Sequence, residues 1–308
     1  MKIIFLVGPT ASGKSELALN WALQFQGAVI NCDSIQVYQG LEIGSAKPSV
    51  NERSLCPHEL FDYVPCGETI TAGSFSRDFF EATEKLKGRV PVAFVVGGTG
   101  FYFQALEKGM YSIGPSNPEV QKLIEQELNA DPAALYRELQ EKDPVAARKI
   151  SPADHYRIGR ALEIIRTHGK TLTKIQQEFE EQRALFPYPL LKLGIKASRE
   201  DLAPRVLART KSMLAKGLLA EVEGLLKAGF REWAPLESVG YKEAKDYLTG
   251  RSTAQNEEEL EGLINTATFQ LAKKQRTWFQ RDQEVNWATR EEAKQLIETR
   301  IIDFLGLK

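Results

Sequence analysis

Apolar residues follow two different patterns along the first hundred positions. Short runs of consecutive apolar side chains lie at residues 2–7, 28–32 and 90–96, and such runs predict buried strands of a parallel sheet. Between these runs, residues 15–25 and 71–87 place apolar side chains three and four positions apart, which is the period of an amphipathic helix. The alternation of strands and helices predicts an α/β fold.

The pattern changes to helices alone in the middle of the chain. Asparagine or aspartate followed by proline predicts a helix start, because the first side chain caps the helix and proline fits its first turn. Helix starts of this kind, or helical periodicity, occur at Asn117-Pro118, Asp131-Pro132, Asp143-Pro144, Ser151-Pro152 and around 174–183. We therefore predict an inserted helical domain at residues 115–188. Residues 1–114 and 189–308 then form the α/β core.

Mixed elements return after the insertion. Residues 189–197 predict a strand, and a helix that carries Arg205 and Arg209 follows it. A long helix is predicted from about residue 257 to 280, and residues 285–288 predict an edge strand. The chain closes with an amphipathic helix.

The first strand runs directly into a glycine-rich motif that carries chemistry. Its residues are Gly8, Pro9, Thr10, Ala11, Ser12, Gly13, Lys14 and Ser15. They fit G-x-x-x-x-G-K-[ST], the P-loop, whose backbone N–H groups and following helix N-terminus bind phosphate. Lys14 can reach a terminal phosphate and the Ser15 hydroxyl can ligate Mg²⁺. The alternative is a strand–turn–helix with coincidental glycines, but the buried strand and helix on either side favour a di- or triphosphate site.

Two further strands end in polar residues. Asp33 follows the second strand, at the edge where open α/β sheets bind ligands. It is a candidate general base or second-shell Mg²⁺ ligand, and the alternative is a helix cap. The third strand ends in Gly97-Gly98-Thr99, where most P-loop hydrolases place a carboxylate that coordinates Mg²⁺ through water. The glycine pair predicts close approach of a substrate to the backbone, and Thr99 is also a candidate N-cap.

Composition adds mainly exclusions. The net charge of −1 and the pI near 6.4 do not indicate a nucleic-acid-binding protein, so an RNA argument must rest on local patches. The three cysteines lack C-x-x-C spacing, which argues against a disulfide scaffold or zinc site and is typical of a reducing cytoplasm. The first apolar run is too short for a signal peptide, and no apolar stretch approaches transmembrane length.

The motifs together resemble one enzyme family. They are G-P-T-A-S-G-K-S, D-S-I-Q-V-Y-Q-G-L-E-I-G-S-A-K-P, V-G-G-T-G-F-Y, V-G-Y-K and Q-L-A-K-K-Q-R-T-W, and they extend over nearly the whole chain. In this order and spacing they resemble the bacterial tRNA dimethylallyltransferases (tRNA isopentenyltransferases). The resemblance implies an α/β fold with a P-loop NTPase-like parallel sheet core and an inserted all-helical, tRNA-binding domain.

The resemblance also implies a reaction. The family transfers the dimethylallyl group of dimethylallyl pyrophosphate to N6 of the adenine immediately 3′ of the anticodon in tRNA. The implied partners are the anticodon stem-loop of tRNA, dimethylallyl pyrophosphate and Mg²⁺, for a cytoplasmic monomer with no membrane association. The target adenine must leave the base stack to enter a buried site.

Site residues follow from the matching positions. Asp33, Thr99 and Lys14 are the expected catalytic residues, and Ser15 is the expected metal ligand. The P-loop with Arg205 and Arg209 is expected to bind the pyrophosphate, because arginines one turn apart can point at one target; the alternative is a solvated face. The expected tRNA contacts are Asp33, Ser34, Ile35, Gln36, Thr99, Gln121, Tyr156, Arg157, Ile158, Gly159, Arg160, Gly240, Tyr241 and Lys242.

Two stretches add local support for RNA binding. The helix after Ser151-Pro152 is rich in cations, namely His155, Arg157, Arg160, Arg166, His168 and Lys170. Such a helix is usually a solvated face, but an RNA substrate favours phosphate contacts. Tyr241 and Lys242 pair an aromatic ring with a cation, which is typical of RNA contacts.

This chain departs from the family at three positions. Lys242 and Gln121 stand where arginine is common; lysine keeps the charge without the planar fork, and glutamine keeps neither. Ser45 stands where threonine is usual, which we expect to be harmless.

Three rival functions remain open. A small-molecule kinase or NTPase is disfavoured by Gly-Gly-Thr in place of the acid, and an RNA-binding module with a structural P-loop is disfavoured by the intact Lys14-Ser15 pair. An adenylate isopentenyltransferase would need no bulky acceptor, whereas the helical insertion favours one.

Overall fold

The computed structural model describes residues 1–111, 113 and 117–307. Two compact units form: Met1–Glu107 with Phe186–Lys308, which we call the α/β unit, and Lys108–Leu185, which we call the helical unit. The predicted domain boundary between residues 114 and 115 lies outside the described residues. No helix in the described part of the chain is long and apolar enough to cross a bilayer.

The sheet of the α/β unit has six strands, in the order β3-β2-β4-β1-β5-β6, and every neighbouring pair is parallel. The strands are β1 (Lys2–Val7), β2 (Ala28–Asn31), β3 (His58–Glu59), β4 (Val92–Val96), β5 (Leu190–Lys196) and β6 (Asn286–Thr289). The predicted parallel sheet and the predicted edge position of β6 are confirmed. Strand β3 was not predicted, because two residues carry no periodicity.

The helices of the α/β unit are α1 (Lys14–Gln24), α2 (Val50–Leu55), α3 (Ala72–Leu86), α4 (Gly100–Lys108), α10 (Arg199–Ala215), α11 (Leu218–Lys227), α12 (Tyr241–Leu248), α13 (Glu257–Phe279), α14 (Arg290–Glu292) and α15 (Glu298–Leu305). A 3₁₀ turn lies at Ala234–Glu237 and a π-helical turn at Ala293–Ile297. The predicted helices over residues 15–25, 71–87 and 257–280 agree with α1, α3 and α13 to within a residue or two.

Strand β1 is central because both of its faces are apolar. Ile4 and Leu6 pack with Trp21 of α1 in one core cluster, and Phe5 packs edge-on against Phe103 of α4 on the other face, with ring centroids 5.0 Å apart. Each buried side chain of this size contributes about 1.5–3 kcal/mol through removal of apolar area from water. The carboxyl end of β1 is therefore fixed in the middle of the sheet, where the P-loop begins.

The helical unit contains α5 (Pro118–Ala130), α6 (Pro132–Lys142), α7 (Pro144–Lys149), α8 (His155–His168) and α9 (Leu172–Gln182). The predicted helix starts are confirmed for the first three, since Asn117, Asp131 and Asp143 each accept a first-turn N–H. Helix α9 begins two residues before the predicted position, because Thr171 caps it. The hydrophobic core of the helical unit contains Ile124, Leu135, Leu139, Ala147, Ile150, Ile158, Ala161 and Leu162.

Asp143 joins two helices of this unit. Its buried carboxylate caps α7 by accepting from the Ala146 N–H (3.1 Å), and it also accepts from the backbone N–H (2.9 Å) and hydroxyl (2.6 Å) of Thr173 in α9. Burial acts to raise the pKa of this carboxyl, but the bonds from Thr173 and Ala146 outweigh burial and hold the pKa below its usual value.

We expect Asp143→Ala to lower the free energy of unfolding by about 3 kcal/mol, because it removes a cap and leaves buried donors unpaired. The matched control is Asp131→Ala, which removes the exposed cap of α6 and should cost about 1 kcal/mol. Urea unfolding of the full chain measures both. Equal losses would show that the bonds to Thr173 add nothing.

Candidate active site

The P-loop connects β1 to α1 in a conformation that only small residues adopt easily. Gly8, Ala11 and Gly13 have positive φ angles of 150°, 62° and 87°. Gly13 caps α1 without a side-chain hydrogen bond, so the first-turn N–H groups and the positive end of the helix remain available to an anion. Ser12 Oγ is buried and has no hydrogen-bond partner within the described residues. The loop has the geometry of a phosphate cradle.

Lys14 is partly buried inside this cradle. Its ammonium group donates to the Pro9 carbonyl oxygen at 3.1 Å. The pKa of Lys14 is lowered to about 8, chiefly by burial; the negative charge of Asp33 opposes this lowering, and the positive charge of Arg209 adds to it. A partly buried cation whose partners are mostly neutral is stabilised by an incoming anion.

Two arginines of α10 reach the P-loop, as the sequence predicted for Arg205 and Arg209. Arg205 donates to the Ser12 carbonyl oxygen at 3.1 Å, and Arg209 donates to the Thr10 hydroxyl at 3.1 Å. Burial lowers the pKa of the Arg209 guanidinium, and Asp33 partly offsets this effect. The alternative of a solvated face is wrong for both residues, because they lie against the cradle.

The D-S-I-Q segment lies in a turn beside the end of β4. Asp33 Oδ1 accepts from the Ile35 N–H at 2.9 Å; no helix follows, so the helix-cap alternative for Asp33 is wrong. Gln36 donates to the Ser45 carbonyl oxygen at 3.0 Å. These bonds fix the backbone of the segment and leave the second Asp33 oxygen available to a ligand.

Thr99 holds the same segment from the β4 side. Its hydroxyl oxygen accepts from the Ser34 N–H at 2.9 Å, and the hydroxyl donates to Ser34 Oγ at 3.2 Å. The Thr99 carbonyl oxygen accepts from the Tyr102 N–H, so the backbone of Thr99 begins α4 while its side chain faces Ser34. The predicted side-chain cap is therefore replaced by a contact between two motifs.

The glycines at the β4 exit serve protein packing. A Cβ atom at Gly97 would lie 1.9 Å from the Cys32 carbonyl oxygen, one at Gly98 2.1 Å from Gln275 Nε2, and one at Gly100 2.1 Å from Trp278. The missing side chains of this pair admit the end of β2 and Gln275 of α13, and the approach of a substrate to this backbone stays a prediction.

The segment at Gly240 differs from its prediction in one respect. Helix α12 begins at Tyr241 as expected, but the Tyr241 side chain is fully buried and cannot stack on a base. Its hydroxyl donates to Glu221 Oε1 at 2.7 Å and accepts from the Ser45 N–H at 3.2 Å. Lys242 is half exposed and pairs with Asp246 at 3.0 Å. Burial, followed by the Glu221 charge, raises the pKa of the Tyr241 phenol.

Helix α8 carries all the expected tRNA contacts of the helical unit except Gln121, which lies on α5. Tyr156 is 82% exposed, and Arg157 is exposed and pairs with Asp154 at 3.4 Å. Arg160 pairs with Glu163 at 2.5 Å, and Gln121 donates to Glu163 at 3.2 Å.

Other residues of α8 face the interior of the helical unit. Ile158 is fully buried in the core, and Gly159 lies against Ile124 and Leu128. Arg166 pairs with Glu127 and Glu138. The side chain of Ile158 and the Cα of Gly159 therefore lie in the core, which corrects the prediction that they contact tRNA. Arg166 belongs to an ion-pair network within the helical unit.

Three site residues were missed in the sequence. Gln275 of α13 accepts from the Thr10 N–H at 2.7 Å and donates to the Gly98 carbonyl oxygen at 3.1 Å. Glu221 of α11 accepts from the N–H groups of Glu42, Ile43 and Gly44. Arg290, at the start of α14, pairs with Glu16 at 2.7 Å, and its guanidinium lies beside Gly13. Their side chains act across the fold, where local periodicity gives no signal; only Gln275 lay inside a recognised motif.

The donor set for a metal is sparse. No group of His, Cys, Asp and Glu side chains that could hold an ion occurs among the described residues. Ser15 lies in the first turn of α1, directly after Lys14, and its hydroxyl is a candidate metal ligand. This fits Mg²⁺, which is commonly held by one or two protein oxygens together with substrate phosphates.

Comparisons with known proteins identify the family. The family described as IPP transferase matches residues 36–282. A tRNA dimethylallyltransferase of Bdellovibrio bacteriovorus is 52% identical over 288 residues, which cover 92% of each chain. One of Geobacter metallireducens is 39% identical over 290 residues, 93% of this chain and 92% of the relative.

Solved structures agree with these sequence matches. The tRNA isopentenylpyrophosphate transferase of Bacillus halodurans aligns with a TM-score of 0.70 and 30% identity, covering 99% of this chain and 97% of that chain. A eukaryotic dimethylallyltransferase acting on tRNA aligns with a TM-score of 0.81 and 28% identity, covering 100% of this chain and 80% of that chain. With a matching family profile over most of its length and relatives this similar, the chain is a member of the IPP transferase family.

Proposed function

We propose that this protein transfers the dimethylallyl group from dimethylallyl pyrophosphate to N6 of the adenine next to the anticodon of tRNA, on its 3′ side. The products are N6-isopentenyladenosine in tRNA and pyrophosphate. One observation carries the proposal: Asp33 lies close enough to Lys14 and Arg209 that its negative charge opposes the lowering of their pKa values by burial. A phosphate cradle and a proton acceptor therefore share one site. The relatives named above support the same reaction.

Stabilisation of the leaving group is the main task of the site. The C1–O bond of the donor breaks readily because the allylic cation is delocalised, and the electron pair leaves with pyrophosphate. The P-loop N–H groups, Lys14, Arg205 and Arg209 are positioned to stabilise that charge. Each such donor is worth on the order of 3 kcal/mol in the transition state.

Mg²⁺ fits the same subsite. Ser15 would hold it, and when bound it supplies positive charge to the phosphate oxygens. The protein contributes the remaining cations, so the pyrophosphate is held mainly by protein groups.

Alignment of the acceptor is the second task. The exocyclic amine of adenine is a weak nucleophile, and it loses a proton as the N6–C1 bond forms. Asp33 accepts that proton or its hydrogen bond, and Thr99 holds the loop that carries Asp33 through Ser34. The adenine is flipped out of its stack to reach these groups.

The exposed residues of α8 provide phosphate contacts for the anticodon stem-loop. Tyr156 and Arg157 are both exposed, and Lys242 adds a cation in the α/β unit. We propose that the enzyme acts as a monomer in the cytoplasm, by analogy with the family.

The direct test is transfer from labelled dimethylallyl pyrophosphate. We expect label to enter tRNA and not AMP, and we expect Lys14→Ala to abolish transfer while tRNA binding in a gel shift is retained. Label in AMP would instead indicate an adenylate isopentenyltransferase. Loss of tRNA binding by a variant whose circular dichroism is unchanged would contradict the separate roles of the P-loop and the RNA contacts.

The role of Lys14 in binding pyrophosphate also predicts a pH dependence that Lys14→Ala should lack. Lys14 of the free protein has a pKa of about 8, and only its protonated form attracts pyrophosphate. Affinity for pyrophosphate should therefore weaken as the pH rises above about 8, more steeply in the wild type than in Lys14→Ala. Calorimetric titration at several pH values measures the difference, and parallel pH profiles would exclude this role.

Asp33→Asn should lower the single-turnover rate constant about 10²-fold or more with both substrates still bound, because general bases contribute about 10²–10⁴-fold. Asparagine can still accept the turn bond from Ile35, so the loop should keep its shape. A rate restored by high Mg²⁺ would assign Asp33 to the metal instead, and a near-normal rate would reduce it to a turn residue.

Replacing Arg157 and Arg160 by glutamine should weaken tRNA binding and flatten its dependence on salt, since each lost phosphate contact removes about 0.7–0.9 units of slope. Affinity for dimethylallyl pyrophosphate should not change. The matched control is Arg137→Gln, because Arg137 is an exposed arginine of α6 that pairs with Asp131. An unaltered slope in the double variant would identify α8 as a solvated face.

A further inference from the structure

One side chain joins the two halves of the proposed reaction site. We propose that Gln275 is a positioning residue that fixes the distance between the P-loop, which holds the donor, and the loop after β4, which holds the acceptor side. The inference rests on the function proposed above. It assigns Gln275 no contact with either substrate, because both ends of its amide are bonded to the protein.

The connection runs through hydrogen bonds at Thr10 and Gly98, and it continues on each side within the same residue or to the next residue of the chain. On the donor side, Gln275 Oε1 accepts from the Thr10 N–H at 2.7 Å, and the Thr10 hydroxyl accepts from Arg209. On the acceptor side, Gln275 Nε2 donates to the Gly98 carbonyl oxygen at 3.1 Å, and the next residue, Thr99, bonds to Ser34. A shift of Gln275 therefore acts on both sides at once.

The chemistry of the contact requires an amide. One partner is a backbone N–H and the other is a carbonyl oxygen, so the side chain must accept and donate in fixed directions. A glutamate can accept from Thr10 but would face Gly98 with a second oxygen. A shorter asparagine lacks the length for both bonds. Glutamine satisfies both loops with one planar group.

Gly98 confirms how closely the amide is seated. A Cβ atom there would lie 2.1 Å from Gln275 Nε2, and Gly98 does not have a positive φ angle. The glycine is therefore needed for space and not for backbone conformation. Helix α13 can approach the loop only because this position lacks a side chain.

The consequence for the reaction is alignment. Attack of N6 on C1 needs the two atoms in near contact, and a misplacement of about 1 Å can cost about 10²-fold in rate. Donor and acceptor bind to different loops, so their separation depends on what joins these loops. Loss of the two Gln275 hydrogen bonds should therefore lower the rate of transfer, while each substrate still binds to its own subsite.

The test uses the full chain and single-turnover transfer to tRNA. At pH 8, Gln275→Glu should lower the rate constant about 10–10²-fold, with affinities for dimethylallyl pyrophosphate and tRNA within about threefold of the wild type. As the pH falls toward the carboxyl range, protonation returns a donor to Gly98, so the ratio of variant to wild-type rate should rise. A purely structural role would not produce that pH dependence.

Matched variants complete the experiment. Gln280→Glu makes the same change at the exposed C-terminal end of α13 and should leave rate and pH profile unchanged. Gln275→Asn should show the rate loss without recovery at low pH, and it serves if the glutamate variant does not fold. A flat rate ratio, or a rate loss matched by lost donor affinity, overturns the inference while the wild type remains active. A wild type that transfers nothing to tRNA overturns the proposed function itself.

Discussion

The site depends on partly buried positive charge that has few negative partners among the described residues. Lys14 and Arg209 are both partly buried, and burial lowers the pKa of each. Their hydrogen-bond partners are neutral oxygens of Pro9 and Thr10, and Asp33 is the carboxylate that acts on both. Burying charge without a counter-ion is costly. In the proposed function a diphosphate completes the site and offsets this cost.

The surrounding loops must stay rigid if the charges of Lys14 and Arg209 are to keep a fixed direction toward a bound substrate. Side chains from distant helices hold backbone N–H and C=O groups in place: Glu221 holds the loop at residues 42–44, Thr99 holds Ser34, and Gln275 holds the P-loop. None of these bonds is strong alone, since a neutral hydrogen bond contributes about 1 kcal/mol net. Their value in the proposed reaction lies in direction, because preorganised groups need no rearrangement when charge develops.

The sequence predicted what depends on local periodicity and failed where packing across the fold decides. The parallel sheet, the capped helices after Asn117, Asp131 and Asp143, and the P-loop all carry signals within a few residues. Tyr241 was misassigned because burial depends on what α11 places opposite it, namely Glu221. Ile158 stands in a cationic stretch, and only the packing of α8 shows that it faces the core.

The carboxyl end of β4 differs from that of a P-loop hydrolase in a way that suits transfer of the dimethylallyl group. A carboxylate at this exit would suit a hydrolase, yet Gly97 has no room for any side chain, because its Cα faces the Cys32 carbonyl oxygen. The close approach of β2 that excludes the acid also brings Ser34 within reach of the Thr99 hydroxyl. The acid next to the cradle is thus Asp33, which follows the neighbouring strand β2. Its position beside both cations suits a proton acceptor for a nucleophile that attacks the carbon atom of the donor.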